Sequence, residues 1–296
     1  MADFQGIIVI HKEKGFTSHD VVAKLRGILH MKKIGHTGTL DPDATGVLPV
    51  ALGKGTKLVD LLTDKEKTYE AVLHLGIDTD TQDMSGTVLE ERPVNVTEEE
   101  VRKVLKSFVG EQLQVPPMYS ALKVNGKKLY ELAREGKTVE RKARPVCFYE
   151  IEPLEFHLPL VKIRVTCSKG TYIRTLCHDI GEKLGCGGCM EELLRSRVGR
   201  YSLSESHTLA QVEAAVADGT VQDMIDPVEA VLAEYPALYA DSYGDRLLAN
   251  GNPLSDNLVR PQHKEGWVRM YASDGTFTGI FQWDAGEKKY YPVKMF

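Results

Sequence analysis

The 296-residue sequence lacks any long hydrophobic run, and no segment approaches the roughly 18 apolar residues that a membrane span needs. Its first residues also lack the basic stretch and long apolar stretch that mark a secretory signal peptide. Hydrophobic residues make up 42% of the chain and charged residues 27%, as is typical of globular proteins. We therefore expect a cytoplasmic protein without a membrane anchor.

Cysteine is scarce and odd in number, with five residues at Cys147, Cys167, Cys177, Cys186 and Cys189. An odd number without an export signal favours reduced thiols over disulfides. The last two cysteines have the spacing of half a zinc knuckle, but no second Cys/His pair stands at a matching distance. The sequence thus predicts no metal site.

The chain also lacks an overall positive charge, since its formal net charge is -5. The charges are unevenly distributed: residues 118–146 contain eight Lys/Arg and three Glu, whereas residues 207–240 contain six Asp/Glu and no Lys/Arg. Phosphate binding depends on local potential, so the basic stretch, which follows Pro116-Pro117, predicts an inserted arm that closes on a polyanion. A solvated helical face explains the same composition equally well.

The most informative stretch is rich in glycine and proline and runs from residue 35 to residue 50. It places His36 and Asp41 in a loop just before the apolar run Val47–Leu52. Pro42 holds Asp41 in an extended conformation, because a residue before proline is disfavoured in the helical region. An isolated Asp-Pro pair is more typical of an ordinary turn.

The loop nevertheless resembles the signature of the tRNA pseudouridine synthase B (TruB) family over the residues His36-Thr37-Gly38-Thr39-Leu40-Asp41-Pro42-Asp43-Ala44-Thr45-Gly46-Val47-Leu48. Other segments resemble the same family, namely Lys67-Thr68-Tyr69, Ser168-Lys169-Gly170-Thr171-Tyr172-Ile173-Arg174, Leu194-Arg195 and, in the arm, Pro116-Pro117-Met118-Tyr119-Ser120-Ala121-Leu122-Lys123. The C-terminal part is more loosely similar to a PUA RNA-binding domain.

The resemblance implies that uridine 55 in the T loop of tRNA is isomerised to pseudouridine, with a C5 bond replacing the N1 glycosidic bond. Asp41 is then the nucleophile, and Arg174 is the partner that favours its charged form inside a pocket. Tyr69 would stack on the uracil and help to remove the C5 proton, with Tyr172 or a water as the rival for that step. Attack at C6, attack at C1′ and a glycal route stay open.

The remaining site residues are expected to bind the RNA. His36 would fill the stack that the flipped uridine leaves, and Leu194 would form an apolar wall of the pocket. Four arm residues would contact phosphates: Lys123, Lys127, Lys128 and Arg141. Because the uracil must leave, rotate and reattach, the reaction needs a nucleophile and a closed pocket more than a cofactor. We expect the tRNA T stem-loop as partner, no cofactor and a monomer.

Two other functions are compatible with these residues. One is the guide-dependent RNA pseudouridine synthase of archaea and eukaryotes, which the inserted arm and the absence of a long basic tail disfavour. The other is a tRNA-folding chaperone or binding module without chemistry, which the presence of Asp41, Tyr69 and Arg174 disfavours.

The sequence predicts an α+β fold. A catalytic domain at 1–234 would have a central mixed, mainly antiparallel sheet flanked by helices, with the basic arm at about 114–146, and a small β-barrel PUA-like domain would follow at 235–296. Strands are predicted at 6–12, 68–76, 87–89, 147–157 and 160–168, and helices from Thr17 or Ser18 to Leu29 and at 56–62, 97–108, 129–134 and about 173–184. The acidic loop 78–83 is predicted to be a solvated turn.

Overall fold

The computed structural model describes residues 4–124 and 126–296. The strands are β1 Gly6–Lys12, β2 Ile34–His36, β3 Thr45–Leu52, β4 Lys67–Leu75, β5 Ile77–Thr79, β6 Val88–Glu91, β7 Gly110–Gln114, β8 Lys123–Val124, β9 Lys127–Lys128, β10 Arg144–His157, β11 Leu160–Cys167, β12 Gly188–Val198, β13 Tyr201–Ser202, β14 Ile225–Asp226, β15 Ala237–Ala240, β16 Leu254–Ser255, β17 Val259–Arg260, β18 Trp267–Tyr271, β19 Phe277–Asp284 and β20 Lys289–Met295. The α-helices are α1 Ser18–Ile28, α2 Val59–Thr63, α3 Glu98–Ser107, α4 Leu129–Arg134, α5 Ile173–Leu184, α6 Leu209–Ala217, α7 Val228–Val231 and α8 Gly244–Ala249.

A ten-stranded sheet forms the larger part of the molecule. Its strands follow the order β14-β1-β3-β12-β4-β11-β10-β7, with β2 paired to β3 and β13 to β12. Strands β3 and β12 run parallel, whereas the other neighbours pair antiparallel. The expected mixed, mainly antiparallel sheet is therefore confirmed.

Both faces of this sheet are covered, as strand β1 illustrates. Ile8 and Ile10 point into a core that includes helices α1 and α6, whereas Ile7 and Val9 point into a second core on the other face. Alternate strand residues face opposite sides of a sheet, so the continuous apolar run of β1 fills both cores. On the face of β4, β10 and β11, helices α3 and α5 close a third core.

The C-terminal strands form a separate six-stranded sheet in the order β16-β20-β19-β18-β15-β17. The two end strands, β16 and β17, are joined by one 3-10 turn, Asp256–Leu258, so the sheet is nearly closed into a barrel. Ile280 on β19 packs with Ile7 and Ala51 of the large sheet. The expected barrel-like C-terminal part is confirmed. Among the described residues, no helix is long and apolar enough to cross a membrane.

The predicted elements differ from the observed ones mainly at their ends. Strand β1 and helix α4 have the predicted bounds. The helix predicted at 56–62 is instead a 3-10 helix, Gly53–Leu58, followed by α2. Here the chain passes directly against β1, because a Cβ on Gly55 would lie 2.2 Å from the Gly6 carbonyl oxygen. A regular helix therefore begins only after this contact.

Candidate active site

The loop that carries Asp41 connects β2 to β3. The residues on either side of Asp41, Leu40 and Pro42, are both held by hydrogen bonds. The Ser18 hydroxyl accepts a hydrogen bond from the Leu40 backbone N–H at 2.9 Å. The buried Lys12 ammonium donates to the carbonyls of Phe16 at 2.6 Å and Pro42 at 2.9 Å. The backbone on either side of Asp41 is thus fixed by α1 and β1. Thr17 caps α1, which leaves Ser18 for this contact.

Gly46 explains how the end of the loop enters the sheet. Its φ is +108°, and a Cβ at this position would lie 2.2 Å from the Arg195 carbonyl oxygen. Strand β3 therefore approaches β12 closely enough for their parallel pairing only because this residue has no side chain. That pairing brings the Asp41 loop next to the strands that carry the other candidate residues.

Asp41 forms a two-point ion pair with Arg174, the second residue of helix α5. Arg174 Nε lies 3.1 Å from Asp41 Oδ2, and Nη2 lies 3.3 Å from Oδ1. The Arg174 side chain is 6% exposed, whereas that of Asp41 is 38% exposed. The carboxylate is therefore held by a buried guanidinium and stays partly exposed to solvent. Burial raises the pKa of Asp41 above its usual value, and the Arg174 charge opposes this shift.

Arg174 is itself fixed by other groups around its guanidinium. Its Nη1 donates to the Thr81 carbonyl at 3.1 Å and lies 3.3 Å from Asp83 Oδ2, while Nη2 donates to the Tyr119 carbonyl at 2.8 Å. Two carboxylates, Asp41 and Asp83, therefore share one guanidinium. The expected solvated turn at 78–83 is wrong, because Asp78, Thr79 and Thr81 are buried and the Asp83 side chain is only 15% exposed. Its pairing with a distant arginine overrides the loop composition.

Tyr69 lies on β4 beside the Asp41 loop. It is 8% exposed and packs in one core with Leu40 and Leu193. Burial raises the pKa of its phenol to about 12, and the charge of Arg195, its direct cross-strand neighbour, opposes the shift. A flat ring at the edge of a core suits the stacking role assigned to it by resemblance.

Leu194 does not lie on the Tyr69 side of the sheet. The register pairs Leu194 with Glu70, whereas Leu193 pairs with Ala71 and belongs to the core that contains Tyr69. Adjacent strand residues face opposite sides, so Leu193, rather than Leu194, is placed to form an apolar wall near Asp41. The assignment of Leu194 is corrected on this ground.

Tyr172 precedes helix α5 and is held through its backbone by the buried Gln114. The Gln114 amide donates to the Tyr172 carbonyl at 3.0 Å and accepts from the Tyr172 N–H at 2.8 Å. Burial raises the pKa of the Tyr172 phenol, and the neighbouring Ser120 hydroxyl lowers it. The end of β7, which carries Gln114, is thereby tied to the candidate site.

His36 is the last residue of strand β2 and directly precedes the loop that carries Asp41. Its Nδ1 accepts a hydrogen bond from the Gly38 N–H at 3.3 Å. Burial and the positive charge of Arg195 lower the pKa of His36, which favours the neutral form of the ring. A neutral, half-buried imidazole at a loop edge can stack on a base.

The basic arm leaves and rejoins the sheet at one cross-strand pair, Gln114 with Arg144. Between them, β8 and β9 form a small hairpin followed by α4. Lys123 and Lys127 are exposed and Lys128 is half-buried, and the Lys127 ammonium lies 3.4 Å from a Glu135 oxygen. The other predicted RNA contact in the arm, Arg141, is half-buried.

Arg141 donates to the Pro116 carbonyl at 3.1 Å, so it holds the arm's two ends together.

All five cysteines carry free thiols, and four of them are buried. Cys189 is fully buried, and its Sγ lies 3.4 Å from the Sδ of Met84. Within the described ranges, no group of three or more His, Cys, Asp or Glu side chains is arranged to hold a metal ion.

Two family models match consecutive parts of the chain. Residues 26–173 match a family described as TruB family pseudouridylate synthase (N terminal domain), and residues 174–233 match a tRNA pseudouridylate synthase B C-terminal domain. The chain is 52% identical to the tRNA pseudouridine synthase B of Lachnoclostridium phytofermentans, over 98% of this chain and 99% of the relative. It is 46% identical to that of Clostridium novyi, over 93% and 94% of the two chains.

Solved structures are similar over almost the whole chain. A chain of an H/ACA RNP bound to a substrate RNA containing 2'-deoxyuridine is 28% identical, with a TM-score of 0.73, and the match covers 98% of this chain and 84% of that chain. A chain of a Cbf5-Nop10-Gar1 complex is 29% identical, with a TM-score of 0.74 and the same coverage. At this coverage the match includes both the ten-stranded sheet and the C-terminal sheet.

Proposed function

Because this chain belongs to the TruB family of pseudouridylate synthases, and is an isomerase that converts uridine to pseudouridine in tRNA, we propose that its target is uridine 55 in the T loop and that Asp41 is the nucleophile. The observation that carries the proposal is the Asp41–Arg174 pair, in which a fixed guanidinium leaves the carboxylate reachable. C6 attack, C1′ attack and glycal formation all begin with an ionised carboxylate beside the flipped nucleotide.

The other residues around Asp41 support the remaining steps. Tyr69 stacks on the extruded uracil and takes part in transfer of the C5 proton, and Leu193 forms the apolar wall beside it. His36, neutral and at the loop edge, takes the place of the flipped base in the RNA stack. Tyr172 is the second phenol at the pocket.

The arm and the C-terminal sheet supply affinity for the RNA. Lys123, Lys127 and Lys128 project from the hairpin of the arm and contact phosphates of the T stem-loop. The C-terminal sheet, residues 235–296, acts as a PUA-like RNA-binding domain, and residues 1–234 form the catalytic domain. We further propose that the protein is a cytoplasmic monomer, which light scattering on the purified chain tests.

A first experiment tests the nucleophile. Tritium release is measured from a T stem-loop RNA labelled at uridine C5, with the wild type, Asp41→Asn and the control Asp43→Asn. Asp43 is an exposed carboxylate of the same loop, so its substitution matches the change in charge. We expect Asp41→Asn to bind RNA and release no tritium, while Asp43→Asn stays active. Turnover by Asp41→Asn above a trace would contradict the assignment.

The same experiment separates the two alternative functions. A chaperone without chemistry would bind the RNA and release no tritium even as the wild type. A guide-dependent enzyme would act only when further components are supplied. We expect the purified chain alone to release tritium, because the relatives that match nearly its full length are named tRNA pseudouridine synthase B.

A further inference from the structure

Arg195 carries a buried positive charge that no acidic side chain among the described residues pairs with. Its side chain lies on β12 and is 1% exposed. Within the described part of the chain, the one ionisable side chain that interacts with it favourably is Tyr69. A buried charge that lacks an opposite charge destabilises a folded protein. An arginine at this position therefore points to a role other than stability.

The hydrogen bonds of Arg195 connect the nucleophile loop to the Tyr69 strand. Its Nε donates to the carbonyl of Val47, near the start of β3, at 2.7 Å. Its Nη2 and Nη1 lie 3.4 Å from the carbonyls of Gly38 and Thr39, in the loop that carries Asp41. On the neighbouring strand, Tyr69 is its cross-strand partner and lies with its phenol against the guanidinium. One side chain thus spans both halves of the pocket.

We propose that Arg195 is a positioning residue. It holds the Tyr69 hydroxyl, for removal of the C5 proton, at a fixed position relative to the loop that carries Asp41. This inference rests on the proposed function. The guanidinium is fixed by three carbonyls, so its charge faces the phenol without reorganisation during the reaction. A positive charge beside the phenol stabilises the phenolate relative to the neutral phenol, so a larger fraction of Tyr69 is in the ionised form that can accept the C5 proton.

The removal of the C5 proton can be written as a balanced step. Once the C5–C1′ bond has formed, C5 carries four bonds and the ring has an N1=C6 double bond. The Tyr69 phenolate takes the C5 proton, the electron pair of the C5–H bond forms C5=C6, and the N1=C6 pair moves to N1. N1 then gains a proton from solvent or from the phenol. One proton leaves C5 and one reaches N1, so no co-reactant is consumed.

The test compares two RNAs with the variants Arg195→Lys and Arg195→Met. The first RNA carries uridine with hydrogen or deuterium at C5 of the target, and the second carries 5-fluorouridine there. Because 5-fluorouridine has no C5 proton to lose, its rearrangement reports every step up to C5–C1′ bond formation and none after it. Arg197→Met serves as the control, because Arg197 lies on the same strand and pairs with the exposed Glu66.

We expect both Arg195 variants to convert uridine roughly 100-fold more slowly, with a larger C5 isotope effect than the wild type, because proton removal becomes rate-limiting. Rearrangement of 5-fluorouridine should be much less affected, and Arg197→Met should resemble the wild type. Equal slowing of both RNAs with an unchanged isotope effect would overturn the proposal, since Arg195 would then only hold the loop. Failure of both Arg195 variants to fold would do the same. If the proposed function itself fails, the wild type converts neither RNA.

Discussion

Asp83→Asn is the substitution that most directly tests the shared guanidinium of the active site. Asp83 Oδ2 lies 3.3 Å from Arg174 Nη1, whereas Asp41 contacts Nε and Nη2 of the same guanidinium. An amide oxygen can still accept a hydrogen bond from Arg174, but the charge is lost. Hydrogen bonds to charged groups contribute about 1.5–3 kcal/mol. A loss of about 2 kcal/mol in positioning predicts a single-turnover rate about 30-fold lower than the wild type.

The pH dependence of the same variant has a definite sign. Asp41 reacts as the ionised form, and the negative charge of Asp83 adds to the burial that raises the pKa of Asp41. Removal of that charge lowers the pKa of Asp41, so the acid limb of the rate profile moves to lower pH. Single-turnover tritium release across pH measures both effects. Asp80→Asn, in the same loop but exposed, is the control. An unchanged rate and an unchanged acid limb would refute the argument.

Two further predictions concern charge away from this pair. Reversal of Lys123, Lys127 and Lys128 to Glu should weaken RNA binding and make the slope of log K against log salt concentration shallower by roughly 2. The control Lys106→Glu on α3 should leave that slope unchanged. Filter binding across salt concentrations measures both. Burial lowers the pKa of Lys12 to about 8 from 10.5, so the unfolded chain binds more protons between these pH values, and the free energy of unfolding should rise there with pH. Urea unfolding at several pH values should show this rise in the wild type and a smaller one in Lys12→Met.

The sequence predicts those elements whose signals lie within a few residues of one another. Helix α3 begins after Thr97 as expected, because the Thr97 hydroxyl and the Glu100 carboxylate cap each other's backbone N–H groups. Helix α4 and strand β1 likewise follow from local patterns. The candidate pair of Asp41 and Arg174 was accessible through family resemblance, and the structure brings the two together.

Contacts between distant segments are not accessible in this way. Nothing within the loop 78–83 indicates that Asp83 pairs with Arg174, since the partner lies on another element. The two adjacent leucines of β12 differ only in the face that they present, and that face is set by pairing register. The register is altered by an irregularity between Met190 and Glu192, which no sequence period shows. Arg195 was visible only as part of a motif, and its contacts with two loop carbonyls emerge from the fold.

The way in which the arm is attached bears on how such enzymes diversify. Because Gln114 and Arg144 face each other across two paired strands, the chain between them begins and ends at nearly one point. Residues can be added to or removed from 122–140 without a shift of the two paired strands, whereas Tyr119, whose carbonyl accepts a hydrogen bond from Arg174, belongs to the fixed part. The point of attachment itself has little freedom, since Gln114 also holds the backbone of Tyr172. Natural variation in RNA preference is therefore expected to accumulate within the arm, while its two anchor points stay the same.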